Sequence, residues 1–107
     1  MIGSRDQLLR LMESGACFEG EILVDLDLEG VELSGIALPR SIWRRCRARG
    51  ARLAGALLQG ARFEDCDLGT VDLEGALLVE ARFERTSLEE AQLAHRRCVA
   101  GVFEERA

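Results

Sequence analysis

Residues 51–83 read ARLAGALLQGARFEDCDLGTVDLEGALLVEARF, and a large apolar residue returns at every fifth place: Leu53, Leu58, Phe63, Leu68, Leu73, Leu78 and Phe83. Two places before each stands a smaller one: Ala51, Ala56, Ala61, Cys66, Val71, Ala76 and Ala81. An α-helix buries a position every three or four residues and a half-buried strand every second one, so a strict five fits neither. It fits a coil whose wall is rebuilt every five residues, with one large and one small side chain inward and the other three facing water or forming a corner. Such a chain is a solenoid.

Upstream the large position continues through Leu28, Leu33, Leu38, Trp43 and Ala48, and downstream through Leu88, Leu93, Cys98 and Phe103. A longer period lies on top of the first. Trp43, Phe63, Phe83 and Phe103 stand twenty residues apart, as do Leu33, Leu53, Leu73 and Leu93. If one coil takes twenty residues, the rings stack in one column near the ~4.8 Å spacing of hydrogen-bonded strands. A three-sided or five-sided coil scatters both sets.

The repeat resembles that of the pentapeptide-repeat proteins, roughly Ala, Asp or Asn, Leu and two polar residues, with GARLA, GALLQ, GARFE and EGALL as its clearest copies. The resemblance implies a right-handed quadrilateral parallel β-helix, four pentads to a coil. The expected fold class is therefore an all-β solenoid of about four coils with a short N-terminal α-helical cap.

With 107 residues, a net charge of −5 and no Pro- or Ser-rich break, the chain reads as one domain, 1–107. No apolar run approaches the ~20 residues of a membrane span and no signal peptide opens the chain, so a cytoplasmic protein without membrane contact is expected. Eleven glycines against one proline suit a chain that turns constantly, and Gly30, Gly35, Gly50, Gly55, Gly60 and Gly75 share one corner position. The four cysteines match neither a small disulfide scaffold nor a metal site. Cys46 and Cys66 hold the small inward position one coil apart and Cys98 the large one. Parallel stacking keeps their Cβ atoms wider apart than the ~3.5–4.5 Å a relaxed bridge prefers, so reduced, buried thiols are expected. Cys17 lies before the regular coils.

In chain order, Ser4 to Gln7 reads as a capping box opening a helix over 4–14, with Leu8, Leu11 and Met12 on one stripe and Gly15 as its stop. So short a helix needs a surface to lie on, and the open upper end of the solenoid supplies one. Residues 16–23 read as an irregular first turn, since Glu21 stands where a small inward residue belongs, and the alternation of Ile22, Val24, Leu26 and Leu28 reads as the start of a strand. Four coils follow over 24–103 (24–43, 44–63, 64–83 and 84–103), with 104–107 as a tail.

Charge is distributed by coil. Asp25, Asp27, Glu29 and Glu32 against Arg40 leave the first at −3, and Arg44, Arg45, Arg47, Arg49, Arg52 and Arg62 leave the second at +6. Glu64, Asp65, Asp67, Asp72, Glu74 and Glu80 against Arg82 leave the third at −5. Aligned by twenty, Asp27, Arg47 and Asp67 form one outward column and Glu32, Arg52 and Asp72 another, which predicts charge ladders that disfavour a one-coil slip. The arginine ring is cancelled within about one Debye length, so direct nucleic-acid binding is not expected.

No constellation for catalysis appears. The only histidine, His95, sits at a corner beside Arg96 and Arg97, and no nucleophile with a positioned base, phosphate loop or metal-ligand cluster can be assembled. The expectation is a chain that is not an enzyme, with no cofactor and no metal. Two surfaces break the polar rule. Ala37, Leu57 and Leu77, one per coil with Val79 beside the last, make an apolar strip on one wall, and Val99, Val102 and Phe103 make an uncovered lower end where Arg96 opens the coil. These are the candidate protein interfaces, for a partner protein and for a homodimer of the kind the family often forms. The expected function is a non-catalytic binding or scaffold module. The alternative that the resemblance brings is a DNA-mimicking inhibitor or protector of DNA gyrase, although four coils span only about 19 Å and the arginine ring interrupts the acidic surface. A further alternative from the resemblance is an accessory role in a bacterial secretion system.

Overall fold

The computed structural model describes residues 1–91 and, beyond them, the backbone of residues 102–104. Its first element is helix α1, Arg5–Ser14. Ser4 is extended and its hydroxyl accepts from the amide of Gln7 at 3.1 Å, while Gly15, at φ 68°, donates back to the Met12 carbonyl. One detail of the box differs from expectation. The Gln7 side chain accepts from the amide of Gly3 at 2.9 Å, one residue upstream of the cap. Leu8 is fully buried, and Leu9, Leu11 and Met12 pack partly buried against the core of the coils.

Five three-residue strands follow, β1 (Ile22–Val24), β2 (Ile42–Arg44), β3 (Arg62–Glu64), β4 (Arg82–Glu84) and β5 (Val102–Glu104). They form one parallel sheet in chain order, each paired with the residue twenty positions on, as in Leu23↔Trp43↔Phe63↔Phe83↔Phe103. This sheet is the strand wall. Single bridges repeat the same step on the other three sides: Asp27↔Arg47↔Asp67↔Ser87, Glu32↔Arg52↔Asp72, and Cys17↔Ala37↔Leu57↔Leu77. The result is a quadrilateral parallel β-helix, with two charged walls between the strand wall and a wall of outward leucines. At the turns every multiple of five from Gly15 to Glu90 has positive φ, including non-glycine residues such as Asp25, Arg40, Arg45 and Glu80.

The interior is built as the five-residue lattice requires. Leu28, Leu33, Leu38, Leu53, Leu58, Leu68, Leu73 and Leu78 are buried with the small partners Ala51, Ala56, Ala61, Ala76 and Ala81. Along the strand wall the rings of Trp43 and Phe63 lie 5.1 Å apart at 31°, and those of Phe63 and Phe83 lie 4.9 Å apart and nearly parallel. Trp43 brings an indole N–H indoors, and Ser41 accepts it at 2.8 Å while donating its own hydroxyl to the Leu38 carbonyl. That pair explains why a serine sits at a small inward position that Ala61 and Ala81 hold in the next two coils.

Near the start of the chain, the lattice overrides the apparent alternation. Leu23 is the buried residue of β1, and Ile22 and Val24 are only half-buried beside it, so the period-two face expected through Ile22 and Val24 is not the inward one. Leu23 is five residues before Leu28, and a rule that governs every later coil governs this one too. Within 16–23, Cys17 bridges Ala37 and Gly20 donates to the Pro39 carbonyl at 3.0 Å, while Ala16 is exposed. Glu21 takes the next inward place, half-buried, with a carboxylate oxygen 2.8 Å from the Met1 amine. Ile2 donates to the Ile22 carbonyl at 2.9 Å and is fully buried above Leu23, a covering of the aromatic column that the sequence pattern had not indicated. Among the described residues no helix is long and apolar enough to cross a membrane.

Candidate protein-contact surface

The leucine wall is assembled by the twenty-residue step. Residues 17, 37, 57 and 77 are the outward members of successive rungs, and each is held by a parallel bridge to the next. Because Ala56, Leu58, Ala76 and Leu78 must point inward, Leu57 and Leu77 between them must point out. Leu57 is 40% exposed, one of only two large apolar side chains so exposed among the described residues, the other being Met1. Ala37, Leu77 and Val79 are half-buried. Four of the residues expected to make contacts are thus on one face: Ala37, Leu57 and Leu77 in column, with Val79 beside Leu77. The backbone of Val102 and Phe103 lies in β5 against β4. Val99 lies outside the described residues, as do Leu93, His95, Arg96 and Cys98.

The remaining sides carry charge, and most of it is paired between coils. Arg45 closes on Asp25 with two contacts of 2.8 and 3.2 Å, and Arg85 closes on Asp65 with two of 2.7 and 3.4 Å. Those guanidinium hydrogen bonds hold both carboxyls below their ordinary range. Arg44 and Arg62 converge on Glu64 at 2.9 and 3.1 Å, and Arg62 also reaches Glu84 at 3.4 Å. This diagonal reach relieves the stacking of Arg62 on Arg82 and of Glu64 on Glu84 in the strand register.

The expected ladders form in their upper rungs only. Arg47 faces Asp27 at 3.6 Å and Arg52 faces Glu32 at 3.4 Å. Below them Asp67 is paired with Arg49 at 3.6 Å in place of Arg47, and its other task is to accept the Gly69 amide at 3.0 Å. Asp72 accepts the Glu74 amide at 3.0 Å. Asp27 and Glu32 also accept an amide of their own turns, from Glu29 and Ser34 at 3.3 Å each, so what separates the rungs is that Arg47 and Arg52 lean to the acid of the coil above. Exposed pairs of this kind contribute at most about 1 kcal/mol each.

Beneath one corner the small inward column reads Leu26, Cys46, Cys66, Thr86, and its polar members serve the backbone. The Cys46 sulfur lies 3.6 Å from the Leu23 carbonyl and 3.5 Å from that of Arg44, and the Cys66 sulfur 3.2 Å from Trp43 and 3.4 Å from Glu64. Thr86 repeats the motif with its hydroxyl 3.0 Å from the Phe63 carbonyl and 2.9 Å from that of Glu84, and it accepts the Cys66 amide at 3.3 Å. Cys17, Cys46 and Cys66 are free thiols, Cys17 exposed and the other two buried. The neighbouring Cys46 thiol, and then burial, push the Cys66 thiol up, so it stays protonated. Cys46 and Cys66 act as weak hydrogen-bond donors of the core.

A groove runs along the corner beside the leucine wall, about 380 Å³ in volume and lined by Arg40, Gln59, Gly60 and Glu80. Arg40 gives its Nε to Glu19 at 3.0 Å. The side chain of Glu80 has no ion pair or hydrogen bond among the described residues, and Gln59 Oε1 is buried without a donor. None of these four was expected from the sequence as a contact residue, although Gly60 was read as a corner glycine. The signal that could have found them is the corner column itself, since 20, 40, 60 and 80 stack at one turn and read Gly, Arg, Gly, Glu.

A family model described as Pentapeptide repeats matches the chain in 8 copies over residues 27–65 and 66–95. No curated protein matches the sequence. Among solved structures, a pentapeptide repeat protein from Nostoc Pcc 7120 superposes with a TM-score of 0.56 at 24% identity, covering 96% of this chain and 88% of that one. QnrB1, a plasmid-mediated fluoroquinolone resistance protein, superposes with a TM-score of 0.50 at 20% identity, covering 77% of this chain and 40% of that one. At these identities the likeness is one of fold.

Proposed function

The chain belongs to the pentapeptide-repeat family, and from that premise we propose that it is a non-catalytic protein-binding module of the cytoplasm whose contact face is the leucine wall. The observation that carries this reading is the column Ala37, Leu57, Leu77. It is apolar at every rung on a rod whose other outward columns are mostly charged, and Leu57 stands exposed at its centre. Affinity capture with the wild-type chain and with the double variant Leu57→Asp/Leu77→Asp tests it. A partner held by the wild type, only weakly dependent on salt and lost with the double variant at unchanged circular dichroism, is expected. A captured set that the variant leaves unchanged would overturn the reading.

Protection or inhibition of DNA gyrase by DNA mimicry is the weaker reading. It calls for a continuous acidic surface, and the arginines of the second coil, paired with acids above and below, interrupt it. Competition with nucleic acid that collapses as salt rises would favour mimicry over the apolar face. An accessory role in bacterial secretion rests on family association alone.

The same reading includes a homodimer through the lower end. Among the described residues β5 has β4 as its one strand neighbour, and an edge strand with free donors and acceptors is a template for another chain. Sedimentation equilibrium on the order of tens of micromolar is expected to give a dimer that Phe103→Asp dissociates. A monomer throughout that range would contradict it.

A further inference from the structure

We propose that the partner presents an amphipathic helix, laid along the rod axis on the leucine wall, with a basic residue at the Glu80 end and an acidic residue at the Arg40 end. This deepens the reading of that wall as the contact face and rests on it.

The size of the face decides first against a second copy of this chain. Ala37 to Leu77 spans two rung steps, about 10 Å, and the strip is one side chain wide. A stable pair of globular surfaces buries about 800 Å² on each side. A narrow segment fits where a second rod does not.

The pitch of the wall then selects the conformation of that segment. Rungs repeat at about 4.8 Å, an α-helix returns the same face every 5.4 Å, and a strand returns it at about 6.7 Å. Over two rung steps a helix drifts from the column by about 1 Å and a strand by about 4 Å. Helix residues spaced i, i+4 and i+7 therefore meet Ala37, Leu57 and Leu77 in turn. The chain already places a helix against the head of this wall, where Leu11 and Met12 of α1 flank a cavity of about 130 Å³ with Gly35, Ile36 and Ala37.

The corner groove fixes the polar residues. Arg40 has spent one donor on Glu19, and its guanidinium carries others for an incoming carboxylate. Its stem lies over Gly60, where an added Cβ would stand 3.0 Å from Arg40 Cγ, so glycine there is what allows Arg40 to occupy the groove. Two rungs below Arg40, Glu80 is a carboxylate without a partner among the described residues, and Gln59 Oε1 between them is a buried acceptor without a donor among them. A buried acceptor left unmade costs free energy that a donor from outside would recover. A lysine or arginine from the partner helix supplies donors to both Gln59 and Glu80, and an acid near the other end meets Arg40.

Selection of a random peptide library displayed on phage, against the wild-type chain, Leu57→Asp and Glu80→Arg, tests the proposal. Arg40 holds the same corner position with φ 56°, so arginine at residue 80 is compatible with the backbone. Enriched peptides are expected to carry apolar residues at helical spacing with a basic residue at one end. As synthetic peptides they should lose about tenfold or more in affinity for Glu80→Arg and regain it when their own basic residue is exchanged for glutamate. Peptides lost with Leu57→Asp but indifferent to Glu80→Arg, or patterned with alternating apolar residues, overturn this inference and leave the contact face standing. No enrichment on the wild type overturns both.

Discussion

Gly60 and Gly69 show how differently two glycines can be required. Gly60 sits at a corner with φ 72°, and a methyl there meets both the backbone penalty of the left-handed region and Arg40 Cγ. Gly69 lies off the corners, and a methyl there would collide with the guanidinium of Arg49, which is the far end of a flexible side chain. Gly60→Ala should therefore lower stability by about 1–2 kcal/mol. Gly69→Ala should cost less, about 0.2–1 kcal/mol, as Arg49 swings away from Asp67. Urea midpoints of the two variants check the order, and a larger loss at Gly69 would contradict it. The corner positions were legible in the sequence because glycine marks so many of them. Asp25, Arg45, Asp65 and Arg85 were harder to read, because they adopt the same positive φ without that marker and are held by their cross-coil ion pairs.

At the scale of the element, a rung is three residues of strand or a single bridge, too few for local propensity to define. The inward side chains and the hydrogen bonds to the next rung define it instead. Thr86 is the clearest case, since its hydroxyl serves two carbonyls and one amide of neighbouring segments. Thr86→Val keeps the shape and removes the hydroxyl, and it should destabilise by about 1–3 kcal/mol. Replacing Cys66 by serine keeps a donor near the Trp43 carbonyl and should cost less. Guanidinium unfolding of both variants checks this, and equal losses would contradict the assignment. The large inward residues were readable because their period admits no other regular structure. The strand at Ile22–Val24 was legible, but Leu23 as its buried residue was not, because Ile22 and Val24 on either side of it are also apolar and a short apolar run cannot show which of its faces is buried.

Across the whole molecule, charge is arranged between coils, and this makes stability depend on pH in a definite direction. Asp25 and Asp65 have folded values below the ordinary 3.8, held there by Arg45 and Arg85. A depressed carboxyl contributes stability that is present above its unfolded value and is lost as pH falls through the folded one. The urea midpoint should therefore fall as pH drops below about 4. In the double variant Asp25→Asn/Asp65→Asn that fall should be shallower, and an unchanged slope would contradict the role of these pairs. The columns that carry the charges follow from the twenty-residue step, but the choice of partner within them does not. Asp67 takes Arg49 because Arg47 leans to Asp27 in the coil above, and that choice is a matter of side-chain reach. The groove of Arg40, Gln59 and Glu80 escaped the sequence for a similar reason. No one of those residues is unusual, and only the stacking of three coils brings them together.

Leu57 and Leu58 are neighbours in the chain and opposite in place, 40% exposed and fully buried respectively. Hydroxyl-radical footprinting read by mass spectrometry at single-residue resolution compares them directly. The four-sided coil of five-residue repeats, with its outward leucine wall, predicts strong oxidation of Leu57 with Leu53, Leu58 and Phe63 silent. Comparable oxidation of Leu57 and Leu58 would contradict the coil, and with it the contact face.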